Sequence, residues 1–343
     1  MSVDTSALEQ QLTGADEQGL MRRAWEGFLD FAYKKPLGIF GGALVTAFVV
    51  VAVVGPFLGD LPWPCTECSI ARDPKEFTGV PLDSPSSEYW FGTDAYGRDV
   101  FSRVVQGAAI SLTIAFSVTF INVFMSSFLG LMSGWYMGWV DYVIQRSGEA
   151  FGAFPGIIGL ILIISIFGQA QSEGGPVWQV AWDMRILIGA LSVGAFFGGN
   201  RIIRGAVISI KNGDFVMAAK AAGASDFRIM TAHLWPNVVP YVIVGVSSAV
   251  GGIIIAESSL NFLGLGVTPG TPSWGSDLSG TNRTYFMQAP WLALAPGLAL
   301  SFTVLGFNLF GDALRDVLDP RLRGSGRIRK KKKRSTSASA TAG

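Results

Sequence analysis

Glu257 stands in the run I-I-I-A-E-S-S-L, a carboxylate inside a segment that otherwise belongs in lipid or in a core. At the centre of a membrane helix a carboxylate costs about 2.5–3.5 kcal/mol, so it must face a bundle interior or a wet cavity. Ser258, Ser259 and Asn261 extend the polar strip. Two readings stay open: a wall or gate of a solute path, or a polar clamp between helices. Arg146 and Glu149 raise the same question at i,i+3 spacing, where an ion pair on one helix is the simpler reading. Cys65 and Cys68, in C-T-E-C, have metal-ligand spacing, but zinc needs about four ligands and the single histidine, His233, lies far along the chain. A local disulfide or two idle thiols suits them better, and no metal site is expected. Covalent catalysis is not expected either, because H-E-x-x-H, G-x-S-x-G and a Gly-Lys dipeptide for a phosphate loop are all missing. If transport here consumes ATP, another chain must bind it.

The elements that position these residues are set by composition. Half of the 343 residues are hydrophobic and only 15% are charged, which places the chain in the membrane class. Six apolar stretches approach the roughly 20 residues that a spanning helix needs: Leu37–Gly59, Ala108–Trp135, Ile144–Phe167, Ile186–Val207, Tyr241–Leu263 and Trp291–Leu314. The expected fold is an all-α integral membrane protein with six transmembrane helices. Gly and Pro inside them, as in Phe154-Pro155-Gly156, are tolerated in membranes. Gly134-x-x-x-Gly138 and Gly194-x-x-x-Gly198 read as close helix packing. The first span follows a polar lead and does not read as a removable signal.

Sidedness follows from the cations. Arg22, Arg23, Lys34 and Lys35 precede the first span, Arg201, Arg204, Lys211, Lys220 and Arg228 flank or lie within the loop after the fourth, and the chain from Arg315 onward is densely basic. By the positive-inside rule these parts are cytoplasmic. The net acidic stretch from Asp60 to Gly107 then faces outward, which an even number of spans satisfies. The division that results is 1–36, a cytoplasmic segment whose Trp25, Phe28, Leu29 and Phe31 suggest an interfacial helix; 37–59, the first span; 60–107, an outer loop; 108–323, the core with a polar loop at 211–240; and 324–343, a basic, disordered tail. The run R-I-R-K-K-K-K-R (327–334) is read as a contact with anionic lipid rather than nucleic acid.

One polar segment, Asp214 to Pro240, separates two spans. Phe215, Ala218, Ala219 and Ala222 fall at i, i+3, i+4 and i+7, on one face of a short helix. Gly223 can end it, Ser225 can cap a second helix carrying Phe227, Met230 and Leu234, and Pro236 is expected to stop that one. A helix-turn-helix of this kind is what a soluble partner needs in order to push on a membrane bundle.

Met217-Ala218-Ala219-x-x-x-Gly223 followed by His233-Leu234-Trp235-Pro236 resembles the EAA motif of bacterial ATP-binding-cassette (ABC) importer permeases. F-G-T-D-A-Y-G-R-D (Phe91–Asp99), A-E-S-S-L-N-F-L-G-L-G (Ala256–Gly266), P-S-W-G (Pro272–Gly275) and F-N-L-F-G-D-A-L-R-D-V-L-D-P-R-L-R (Phe307–Arg323) are similar to the C-type permease subunit of dipeptide and oligopeptide importers. Nickel and glutathione importer permeases share them. The likeness runs from about Leu37 to Arg323.

The resemblance implies a type I ABC importer permease fold with a cytoplasmic coupling helix-turn-helix, located in the bacterial inner membrane. It implies a second permease chain, two ATPase subunits that hold ATP and Mg, and an external solute-binding protein that delivers peptide. No cofactor is expected on this chain. Phe215, Met217, Ala218, Ala219, Ala222, Gly223, Asp226, Arg228, His233 and Pro236 would make the ATPase-coupling surface. Met217 stands where the family usually has a glutamate. Glu257, Ser258 and Asn261 would be at the path or a gate. Gly92, Asp94, Gly97, Arg98, Asp99 and Trp274 would contact an outer partner or brace a gate, although a turn satisfying its own backbone through Asp94 is the simpler alternative. A self-contained secondary transporter would need more charges inside its spans. An intramembrane hydrolase would need a nucleophile and a base.

Overall fold

The computed structural model describes residues 35–58, 79–153, 156–167, 177–196, 199–268 and 270–318. The Trp25–Phe31 surface helix, Cys65 and Cys68, and the basic tail lie outside these residues. Among them the secondary structure is helical, apart from one isolated β-bridge between Thr93 and Asp99.

The first helix, α1 (Pro36–Leu58), is apolar on nearly every side. The second, α2 (Val100–Tyr136), has 37 residues, about 55 Å at 1.5 Å per residue against a hydrocarbon core of about 30 Å. It begins eight residues before the apolar stretch because Asp99 caps it, accepting the Phe101 N–H at 3.1 Å and the Ser102 hydroxyl at 2.8 Å. It ends at Met137, one of two non-glycine residues with positive φ among those described. Phe116, Phe120, Phe124 and Phe128, spaced by four, leave an exposed aromatic stripe along α2, as expected of a helix in lipid or against another membrane chain.

Next come α3 (Gly138–Gly152) and α4 (Gly156–Phe167), bent by 83° to one another. The third expected span is therefore not one straight helix. Pro155 falls between the two in the sequence, and a proline lacks the amide that would continue the ladder. Within the fourth expected span two helices are described, with residues 197–198 between them outside the described ones. After the short α5 (Val177–Asp183), α6 (Arg185–Phe196) and α7 (Asn200–Ile210) are separate helices, with Gly199 in a turn before the second.

The polar segment forms α8 (Asp214–Ala221), α9 (Asp226–Arg228) and a π-helical turn, Ile229–Leu234, that runs into α10 (Trp235–Phe262). Pro236 does not stop this helix. The Trp235 N–H reaches the Met230 carbonyl five residues back, and the wider turn carries the chain past a residue with no amide proton. The remaining elements are α11 (Trp274–Asp277), α12 (Gly280–Thr284) and α13 (Trp291–Leu318).

Four helices are long and apolar enough to cross a bilayer, or five if α3 and α4 make one bent span, among the described residues. They pack through glycines. A Cβ at Gly41 would come within 2.7 Å of the Phe310 amide nitrogen, so α1 and α13 touch backbone to backbone. Gly130 and Gly134 do the same for α2 against Ile203 and Val207 of α7. The close-packing pair is thus Gly130-x-x-x-Gly134. Gly138, expected as its second member, has open space beyond its Cα and φ +56°, and serves the turn after α2 instead. The side-chain surroundings of Gly194 and Gly198 lie outside the described residues.

Candidate functional site

The Asp214–Leu234 hairpin sits on the C-terminal end of α2 and on α7. Gly223, at φ +80°, closes α8 in a Schellman turn: its N–H donates to the Lys220 carbonyl at 2.9 Å and the Ala224 N–H to the Ala219 carbonyl at 3.0 Å. The Ser225 hydroxyl accepts the Arg228 N–H at 3.4 Å and so caps α9. Nothing lies within 4 Å of a Cβ built at Gly223. Backbone conformation, not space, calls for glycine there.

The hairpin is held by one side of its sequence and presents the other. Val216, Ile229, Met230, Leu234 and Val238 are buried against Ile203, Ala206 and Val207, with Leu131 and Trp135 beside them. Lys220 Nζ lies 4.6 Å from the Trp135 ring centroid, a cation–π contact that ties α8 to α2. Lys211 Nζ donates to the Gly134 carbonyl at 3.3 Å. Phe215, Met217, Ala218, Ala222 and Phe227 are exposed, Met217 to 57% and Phe227 to 72%, and Asp226, Arg228 and Pro236 are exposed with them. The i,i+3,i+4,i+7 stripe therefore points mostly away from the protein, and only Ala219 of that set is half-buried. Val216, at 0% exposure, is the anchor that the stripe did not include. His233 is half-buried, and its carbonyl accepts the Asn237 amide at 2.7 Å.

Beside the hairpin, Arg204 on α7 grips Asp141 on α3 through two hydrogen bonds of 2.6 and 2.5 Å, and Ser133 on α2 donates to the same carboxylate at 2.6 Å. This three-helix clamp was not expected from the sequence. Arg204 and Asp141 are 63 positions apart, and only the fold brings them together. Arg146 and Glu149 pair at 2.6 Å on the exposed side of α3.

Glu257 is fully buried. Its carboxylate accepts from Ser258 at 3.1 Å, from Ser111 of α2 at 3.5 Å and from the Asn261 amide. Asn261 also donates to Ser273 at 3.1 Å, while its oxygen accepts the Val267 N–H at 2.6 Å. The strip joins α10 to α2 and to the cap of α11.

At the N-terminal end of α2 the charged turn folds on itself. Asp94 accepts the N–H groups of Tyr96 and Arg98 at 2.8 and 2.9 Å, and Arg98 Nε donates back to it at 2.7 Å. Gly92 (φ +72°) and Gly97 (φ +77°) supply left-handed positions, and a Cβ at Gly92 would lie 2.6 Å from the Asp83 carbonyl. Arg103 joins through an ion pair with Asp277. Burial pushes the Asp277 carboxyl up from its ordinary range while Arg103 pulls the other way. Trp274 is completely buried. It donates to the Val104 carbonyl at 3.0 Å and packs edge-on to Phe48. Gly275 is required by contact, since a Cβ there would sit 2.6 Å from Ser258 Cα. Gly92, Asp94, Gly97, Arg98, Asp99 and Trp274 are all buried within the chain.

No group of three or more metal-ligating side chains occurs among the described residues. Residues 126–324 match the family model described as binding-protein-dependent transport system inner membrane component. The dipeptide transport system permease protein DppC of Alkalihalophilus pseudofirmus is 37% identical over 290 residues, 84% of this chain and 88% of that protein. The glutathione transport system permease protein GsiD of Salmonella paratyphi A is 36% identical over 304 residues, 89% and 93% of the two chains. The same-named protein of Shigella flexneri is 40% identical over 242 residues, 71% and 75%. A family match over more than half the chain and relatives aligned over most of their length agree with a bundle of apolar helices. The chain belongs to the binding-protein-dependent transport system inner membrane components, the membrane permease subunits of ABC importers.

Proposed function

We propose that this chain is the permease subunit of an ATP-driven importer that takes up dipeptides or oligopeptides delivered by an extracytoplasmic binding protein. The observation that carries this reading is the Asp214–Leu234 hairpin, anchored by Val216 and Leu234 and offering Phe215, Met217, Ala218, Ala222 and Phe227 to a partner. A monomeric soluble surface rarely leaves such a set uncovered. The hairpin is the coupling element, docked on an ATPase subunit that binds ATP and Mg. A second permease chain completes the pathway. The bundle has six spans, α6 and α7 together making the fourth, with both termini cytoplasmic and residues 60–107 outside. When the ATPase pair closes on ATP, the hairpins move with it and the helices rock outward. Hydrolysis resets them.

Within this reading the Glu257–Ser258–Asn261 strip is a clamp holding α10 to α2 and α11, since its polar atoms are engaged with one another. The Asp94–Asp99 turn braces the outer end, since its charges are consumed internally. Glutathione is the second candidate solute, favoured by relatives that carry that name at 36–40% identity.

The test is uptake into proteoliposomes holding this chain, its partner permease and both ATPases, with binding protein and ATP, comparing wild type with Gly223→Asp. Loss of ATP-dependent uptake with the variant still inserted supports the coupling role. Uptake by this chain alone, without ATPases, would overturn it. Competition between dipeptide and glutathione decides the solute.

A further inference from the structure

The hairpin and α7 form one packed body, with Val216, Ile229 and Leu234 buried against Ile203 and Val207, and close packing passes a displacement on. Arg204, between those two residues in α7, reaches α3, where its guanidinium donates to both oxygens of Asp141 at 2.6 and 2.5 Å. Ser133 of α2 donates to the same carboxylate at 2.6 Å and accepts the Gln145 amide at 3.2 Å, so two side chains of α3 meet one hydroxyl. None of the 15 residues of α3 is buried, and its place on the bundle therefore depends on these polar bonds. The helix also has a hinge at its start. Met137 and Gly138, both at positive φ, separate it from α2, and positions at the ends of elements are where the angular change is taken up when one helix swings on another. At its other end α3 leads into α4 across a bend of 83°. Gly156 and Leu160 of α4 line a cavity of about 520 Å³ whose wall is completed by α2, α6, α7 and α10.

We propose that the Asp141–Arg204 pair is the link by which a displacement of the hairpin and α7 swings α3 about the Met137–Gly138 turn and carries α4 with it. Asp141 and Arg204 are then positioning residues for import, beyond their part in holding the fold. A two-pronged Arg–carboxylate contact suits this task, because its parallel bonds fix angle as well as distance. A lysine at position 204 would supply the charge without that fork. The inference rests on the import reading above and deepens it by naming a route from the hairpin to the cavity wall.

The test measures uptake and ATP hydrolysis in the same proteoliposomes of the assembled complex, with alanyl-alanine or glutathione as solute, whichever wild type imports. Asp141→Asn and Arg204→Gln each lower the uptake per ATP hydrolysed about tenfold, the scale on which a residue on a coupling route acts, while ATPase binding stays as in wild type. The double variant falls no further than either single one, because the two side chains serve one link. Arg204→Lys falls between the single variants and wild type. A lower unfolding temperature with an unchanged ratio would mark the pair as a structural tie and overturn the proposal. Uptake and hydrolysis falling together, or single losses that multiply in the double variant, would overturn it as well, in each case leaving the importer intact. No ATP-dependent uptake of either solute by wild type would overturn both readings. Should Asp141→Asn or Arg204→Gln fail to insert, Arg204→Lys decides: a ratio below wild type supports the link, and a wild-type ratio counts against it.

Discussion

At the N-terminal end of α2, Asp94, Arg98, Asp99, Arg103 and Asp277 are buried and spend their charges on one another and on backbone amides. At the C-terminal end of the same helix, Asp214, Asp226 and Arg228 are exposed, and so are Phe215, Met217 and Phe227. Both ends use a glycine at positive φ and a side chain capping a helix, Gly97 with Asp99 and Gly223 with Ser225. The difference lies in what remains over. The charges of the first region are used within the chain, although Trp90, Phe91 and Tyr96 beside them are exposed, and the second keeps both its charges and its apolar face exposed. The two regions thus share local grammar and differ in the burial of their charges.

The contrast can be broken most forcefully at Arg103. Arg103→Ala strands the buried Asp277 carboxylate, and removing one partner of a buried pair costs about 3–5 kcal/mol. Thermal unfolding of the detergent-solubilised chain should fall sharply, whereas Arg228→Ala at the other end should leave it in place. Gly223→Ala comes next. Holding alanine at φ +80° costs about 1–2 kcal/mol, and faster amide hydrogen exchange in residues 219–228, with the rest of the chain unchanged, would show the loss as local. Phe227→Ala should move stability by less than about 0.5 kcal/mol while lowering ATPase binding, a split that no residue of the Asp94–Asp99 turn should show. The smallest effect is expected from Met217→Glu, which restores the residue usual in the family. An exposed ion pair contributes about 0–1 kcal/mol, so titration of the ATPase onto the permease should show at most a few-fold gain, lost at high salt.

Much of the hairpin was legible because its signals are local: Gly223 and Ser225 announce a turn and a cap from their own chemistry. Which face it buries was not. The alanine stripe reads equally well as inward or outward, and the decision rests on Val216 meeting Ile203 and Val207, contacts that only the packing of α7 supplies. Pro236 misled because a π turn upstream carries the helix through a residue that ordinarily ends one. The same limit applies to Asp141 and Arg204, unremarkable until α3 and α7 come together. The apolar lengths revealed α1, α2, α10 and α13, whereas length alone does not show that the third stretch holds two helices at 83° to one another. Glu257 stands out in the sequence as a carboxylate among apolar residues, but its partner Ser111 lies on α2, and Ser273, which Asn261 holds, lies at the cap of α11.

The central claim is that the exposed face of the Asp214–Leu234 hairpin transmits force from the ATPases. Phe227→Asp tests it most directly, because the side chain is 72% exposed and its loss disturbs no packing. In the reconstituted complex the account predicts that ATP-dependent uptake disappears while insertion and thermal unfolding stay as in wild type. Uptake that continues at the wild-type rate in the Phe227→Asp complex would contradict it.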